Sequence, residues 1–216
     1  MEKSVIFGKL KGGLIVSSQA PDESPLCTPA VLSAMAIAAL GSGAAGIRLN
    51  SPQVIRAARK GTDAPIIGLY KDFSKKAYIT PTFAHAKKIA AAGADIIAID
   101  ATSHRDNLKD FIRRIHEELG ALVDADVSNE HEGELAAEAG ADMLASTLSG
   151  YMGGPVPAEP DFPLVGRLAR LGLPVMAEGR YASREDVMRA LSLGAHCVCV
   201  GTAITRPDVL TKAFLP

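Results

Sequence analysis

The sequence predicts an α/β fold, a single-domain (β/α)8 TIM barrel of parallel strands over residues 1–216, and three observations predict it. Four segments repeat the pattern Gly-Ala-x-x-aliphatic, beginning at Gly43, Gly93, Gly140 and Gly194, with glycines 50, 47 and 54 residues apart. Each follows an Ala-rich helical pattern. The glycine suits the left-handed residue that ends a helix, and the aliphatic run behind it suits a buried parallel strand. The spacing is close to two βα units, and short bulky runs bounded by turn residues fall in between, at 65–69, 121–125 and 174–177, with another at 13–17 ahead of the first repeat. Local helix-start signals fill the gaps between these runs.

In chain order, strands are expected to begin near residues 14, 46, 65, 96, 121, 143, 174 and 197. Thr28-Pro29, Ser51-Pro52 and Thr80-Pro81 each place a capping hydroxyl before a proline, whose missing N–H costs nothing in a first helical turn. Ser128 and Ser183 are the next expected caps, Ser183 with Asp186 in a box-like position. Eight alternating units close as a barrel. The competing architecture, an open doubly wound sheet, normally carries a glycine-rich turn after its first strand, and the turn here is Ser17-Ser18-Gln19-Ala20-Pro21. Two connections, 71–80 (polar, Lys-rich) and 149–162 (rich in Gly and Pro), are long enough to be lids over a barrel mouth.

Composition narrows the function. The chain has 216 residues, 48% of them hydrophobic, and 23 Lys+Arg balance 24 Asp+Glu for a net charge of −1. That balance gives no electrostatic footprint for nucleic acid or an anionic membrane, so an anionic ligand has to be held by a local site. The longest helical apolar stretch, 34–40, is far short of a membrane span, and the N-terminus does not read as a signal peptide. Three cysteines, two of them on one face of one strand, read as buried thiols of a reducing cytoplasm. The five histidines have no paired ligand spacing, so no metal site is expected.

In such a barrel the active site lies at the C-terminal ends of the strands. The polar residues that close the apolar runs are Gln19, Arg48, Lys71, Asp100, Asp126, Thr147, Glu178 and Thr202. Gly179 and Gly201 follow strands seven and eight, where barrels frequently bind phosphate with backbone N–H groups, and Arg180 and Arg206 lie nearby. The reactive candidates are Lys71 and Glu178. A lysine in a desolvated pocket loses proton affinity, which makes it either a base for a proton next to a carbonyl or a Schiff-base former.

Taken together, the segments Gly13-Leu14-Ile15-Val16-Ser17-Ser18-Gln19-Ala20, Gly46-Ile47-Arg48, Pro65-Ile66-Ile67-Gly68-Leu69-Tyr70-Lys71, Ile99-Asp100-Ala101-Thr102, Asp126-Val127-Ser128, Thr147-Leu148-Ser149-Gly150-Tyr151, Ala177-Glu178-Gly179-Arg180 and Val200-Gly201-Thr202-Ala203-Ile204-Thr205-Arg206-Pro207 resemble bacterial N-acetylmannosamine-6-phosphate 2-epimerase, in order and over nearly the whole chain. The resemblance implies a cytoplasmic, commonly dimeric barrel enzyme that interconverts N-acetylmannosamine 6-phosphate and N-acetylglucosamine 6-phosphate without a cofactor. By position it makes Lys71 the acid/base and Glu178 its partner. Gln19, Arg48, Asp126 and Thr147 would hold sugar hydroxyl and N-acetyl groups, and Gly179, Arg180, Gly201, Thr202 and Arg206 the phosphate. The chain departs from the family pattern at residues 103–107 and at Met152, away from the lysine and the glutamate. The rival readings are a Schiff-base lyase or aldolase acting on a phosphorylated sugar, and a phosphosugar-binding barrel without turnover.

Overall fold

A computed structural model describes residues 2–215. Its eight strands are β1 (Leu14–Ser18), β2 (Gly46–Asn50), β3 (Ile66–Leu69), β4 (Ile96–Asp100), β5 (Leu122–Asp126), β6 (Met143–Ala145), β7 (Val175–Glu178) and β8 (Cys197–Val200). They pair in sequence order into a closed barrel, and β8 returns parallel to β1 with Leu14 opposite Val198. Every expected strand start is met to within one residue. The helices between them are α2 (Pro29–Gly41), α3 (Pro52–Arg59), α4 (Phe83–Ala92), α5 (Leu108–Arg114, continued by a π-turn), α6 (Glu130–Glu138), α7 (Phe162–Leu168) and α8 (Arg184–Ser192). The four repeat glycines all sit at left-handed φ, 103° at Gly43 and Gly93, 97° at Gly140 and 101° at Gly194, a conformation that costs glycine nothing.

Alternation along each strand sorts the core into two shells. Inward residues include Ile15, Ile67, Leu69, Ala98, Met143, Met176, Cys197 and Cys199, while Ile47, Leu49, Ile97, Ile99, Val123 and Val175 face outward under the helices. The sequence reading did not anticipate α1 (Lys3–Leu10), whose buried Ile6, Phe7 and Leu10 join the inward shell. The His196 ring fixes it to β8 through Nε2, 2.8 Å from the Phe7 carbonyl oxygen. Cys197 and Cys199 are buried free thiols as expected, but Cys27 is only half-buried, because it lies in the loop between β1 and α2.

Thr28, Ser51 and Ser183 cap α2, α3 and α8 as anticipated, and Ser183 forms a full capping box with Asp186. Two caps move. Thr82, not Thr80, caps α4, because the Thr80 hydroxyl is buried and donates to the Ala98 carbonyl at 2.7 Å. Asn129, not Ser128, caps α6, because both the Ser128 N–H and its hydroxyl donate to Glu132 Oε2.

Gly68 on β3 marks a close approach of the sheet to its helices. A Cβ there would lie 2.6 Å from Ala94 Cβ and 2.8 Å from Ile55 Cδ1. Overpacking of this kind costs about 1–3 kcal/mol. Gly68→Ala is therefore expected to lower the urea midpoint while leaving the m-value unchanged, and an unchanged midpoint would show that the helices yield freely.

Candidate active site

Arg48 organises the mouth of the barrel. It leaves β2 on the inward face and is 1% exposed. Its Nη2 donates to both oxygens of Asp126 on β5, at 2.8 and 2.6 Å, and its Nη1 to Glu178 Oε1 on β7 at 2.8 Å. Thr147, just beyond β6, donates its hydroxyl to Asp126 Oδ1 at 2.6 Å and stands 3.2 Å from Glu178 Oε2. The Ser146 hydroxyl bridges the Glu178 backbone, donating to its carbonyl and accepting from its N–H. One guanidinium and one hydroxyl thus tie four strands together around two carboxylates.

The electrostatics follow from burial. Desolvation opposes the charge on Arg48, yet Asp126 and Glu178 together hold its proton above the ordinary arginine range. Desolvation also outweighs Arg48 at Asp126 and pushes that carboxyl up to about 7. Lys71, which follows β3, is driven the other way: burial first, then the Arg48 charge, lowers its proton affinity, against opposing pulls from Glu178 and Asp126. Among the described residues its ammonium makes no hydrogen bond or ion pair. Only its backbone is tied, with the N–H donating to Asn50 Oδ1 at 3.0 Å.

The 71–80 connection is a folded hairpin. Lys71 bridges Ile79 antiparallel, and Thr80 N–H donates to the Tyr70 carbonyl at 2.7 Å. The rings of Phe73 and Tyr78 stack with centroids 5.1 Å apart. Arg105, within the departing segment 103–107, braces the hairpin's base by donating to the carbonyls of Asp100, Ile79, Thr80 and Pro81. Its burial lowers its proton affinity to about 10. Asp100 is spent locally: it accepts from Thr102 N–H and hydroxyl and from Tyr78 N–H, and it does not line the cavity.

A cavity of about 550 Å³ opens above the cluster, lined by Gln19, Arg48, Lys71, Thr147, Glu178, Gly179, Arg180, Gly201, Thr202 and Arg206. Asp126 lies beneath it, fully buried and bonded to Arg48. Apart from Asp100 and Asp126, each site residue read from the sequence therefore lines one cavity. Their present partners differ. Gln19 Nε2 donates to Ser17 Oγ at 2.9 Å, and its Oε1 is buried without a partner. Arg180 spans the 149–162 loop, with Nε donating to the Glu159 carbonyl at 2.7 Å and Nη1 to that of Ser149 at 2.6 Å. Arg206 is paired with Asp208 at 2.6 Å. Among the described residues no group of three His, Cys, Asp or Glu is arranged to hold a metal ion.

Sequence reasoning missed Ser17, Tyr78, Tyr151 and Cys199, which also line the cavity. Strand parity could have found Ser17 and Cys199, each two residues before a named glutamine or glycine on the same inward face. No periodic signal marks Tyr78 or Tyr151, which reach the cavity from loops folded over the mouth.

Comparison with known proteins places this arrangement. The family model described as "Putative N-acetylmannosamine-6-phosphate epimerase" matches residues 32–216. A relative from Thermosynechococcus vestitus that bears the corresponding 2-epimerase name is 44% identical over 213 residues, 96% of this chain and 93% of its own length. One from Photobacterium profundum is 43% identical over 210 residues, 95% of this chain and 88% of its own. The solved N-acetylmannosamine-6-phosphate 2-epimerase of Clostridium perfringens superposes with a TM-score of 0.91 at 38% identity, covering 96% of this chain and 94% of that one. With a family model matching residues 32–216 and relatives covering nearly the whole chain, the chain belongs to the N-acetylmannosamine-6-phosphate epimerase family, a family of isomerases.

Proposed function

We propose that this enzyme interconverts N-acetylmannosamine 6-phosphate and N-acetylglucosamine 6-phosphate by removing and returning the proton at carbon 2 of the ring-opened sugar. The observation that carries the reading is the unbonded Lys71 amine, with lowered proton affinity, beside a Glu178 carboxylate fixed by Arg48 and Thr147 in one cavity. A hydrogen next to an aldehyde is acidic enough for an amine base, and the enolate it leaves needs cationic or hydrogen-bonding groups nearby. Lys71 takes the proton, Glu178 handles protons at sugar oxygen, and Arg48 supplies fixed positive charge. Return of the proton to the other face of the planar intermediate inverts the centre. The carbon's oxidation level never changes, so the chemistry calls for no redox cofactor.

Gln19 and Thr147 serve the hydroxyl and N-acetyl groups in this reading, and Asp126, buried beneath the cavity, acts on the sugar only through Arg48 and Thr147. Phosphate lies at the loops after β7 and β8, on Gly179, Arg180, Gly201 and Thr202, with Arg206 at the rim. The family likeness also supports a cytoplasmic homodimer, and no helix among the described residues is long and apolar enough to cross a membrane.

Incubation with N-acetylmannosamine 6-phosphate in heavy water is expected to yield the epimer with deuterium at carbon 2, while the unphosphorylated sugar turns over poorly. Conversion without label would sink the proton-transfer reading. Borohydride trapping of substrate on Lys71 would instead favour Schiff-base chemistry.

A further inference from the structure

One layer below the site lies a charged-type residue that the reaction does not touch. Asp124 stands two residues before Asp126 on β5, so its side chain points to the same inward face. It is 0% exposed, and both of its carboxyl oxygens are buried without a hydrogen-bond partner. That sets it apart from Asp100, Asp126 and Asp142, each of which is buried and hydrogen-bonded. Its cross-strand partners are Ala98 and Met143, Cys197 faces it from β8, and none of the three is a strong donor.

We propose that Asp124 is carried as a neutral, protonated acid at the working pH, and that as a positioning residue it keeps the Arg48 charge committed to Asp126 and Glu178. The physical ground is desolvation: a carboxylate with no donor in an apolar interior is far costlier than the neutral acid, so it keeps its proton. Charge balance points the same way. Arg48 already pairs with two carboxylates, so its single charge is matched without a third. The groups that act on Asp124 are Asp126 on its own strand, Arg48 from β2 and Glu178 from β7, and Cys197 faces it from β8. Lys71, Asp100 and Thr147 stand higher, at the strand ends, and α1 contributes only Ile6, Phe7 and Leu10 to the shell below. Burial and the Asp126 charge both raise the proton affinity of Asp124, and Arg48 alone opposes them.

An ionised Asp124 would compete for Arg48 and place a third negative charge beneath Asp126 and Glu178. Its neutrality is thus a condition for the geometry of the site, and its ionisation contributes to the alkaline limit of activity. The link to activity rests on the epimerase reading, whereas the protonation itself does not.

The test compares the parent full chain with Asp124→Asn and Asp124→Met. At pH 8–9, above the Asp126 titration, infrared spectra of the parent are expected to keep a protonated-carboxyl stretch that both variants lose. A group whose proton affinity is raised by folding gives up stability as pH rises through its ordinary range towards its folded value. Both variants should therefore melt higher than the parent at pH 8, with the gain shrinking towards pH 4. The alkaline limb of kcat/KM in Asp124→Asn should move up by about one pH unit while the neutral rate stays within about twofold. Absence of the protonated band from the parent overturns the proposal even if neither variant folds. So does a variant gain that fails to shrink with falling pH, or an unmoved alkaline limb in an active enzyme. Loss of epimerase activity in the parent would overturn the function and leave the spectroscopic and thermal outcomes to decide Asp124.

Discussion

Lys71→Met is expected to fold as the parent does and to lose about a thousandfold in kcat, the scale of a general acid–base contribution. Folding is spared because the amine has no hydrogen-bond or ion-pair partner among the described residues, so its removal strands no other group. Burial makes the charged form costly, and an unbranched apolar side chain of similar length removes that cost. KM is expected to change by only a few-fold, because the phosphate and hydroxyl contacts proposed above lie on other strands. Lys71→Arg is expected to remain as inactive as the methionine variant: guanidinium keeps its proton at any working pH and cannot serve as the base. In the parent, the acid limb of the rate is expected to mark protonation of Lys71 and to lie below the ordinary lysine range, because burial and Arg48 lower that affinity. Steady-state kinetics with solvent-deuterium exchange read all of this, and retention of more than a tenth of the parent kcat in Lys71→Met would remove Lys71 from the role.

The barrel was legible because its signals are local. A left-handed glycine ends a helix and an apolar run follows it, and that unit recurs at Gly43, Gly93, Gly140 and Gly194. Strand ends were legible for the same reason, which brought Arg48, Lys71, Thr147 and Glu178 to one cavity from positions far apart in sequence. What stayed hidden depends on contacts between distant segments. Thr80 has the sequence of a cap, but hairpin closure takes its hydroxyl to Ala98 on β4. Tyr78 and Tyr151 enter the cavity through loop paths that no period encodes. Helix α1 is short, and only the open bottom of the barrel gives Ile6, Phe7 and Leu10 a place to bury. Asp124 fell between rules: it sits inside a strand run, where a carboxylate is not expected, and its meaning lies in the missing hydrogen bonds.

Arg48→Leu is expected to be the most damaging single change to stability. Removing one partner of a buried ion pair strands the other, at a cost of about 3–5 kcal/mol. Here the single guanidinium serves two carboxylates, one fully buried and one nearly so. Thr147 can donate its one proton to Asp126 or to Glu178 but not to both, so it offers only partial relief. The deficit has a definite pH dependence. Burial already pushes Asp126 up to about 7 with Arg48 in place, and loss of that cation is expected to raise its proton affinity further. The variant's shortfall against the parent is therefore largest at pH 8–9 and shrinks as falling pH neutralises Asp126. Adding Asp126→Asn to Arg48→Leu removes one stranded charge. The pair should then be more stable at pH 8 than Arg48→Leu alone, with a double-mutant coupling of about 0.5–3 kcal/mol. Both variants are expected to lose activity, because Glu178 is no longer held. Chemical denaturation of the parent, the two single variants and the double variant at pH 6 and pH 8 measures the cycle. An Arg48→Leu chain as stable as the parent at pH 8 would mean that the carboxylates find other partners, and that the guanidinium is not what holds the mouth of the barrel together.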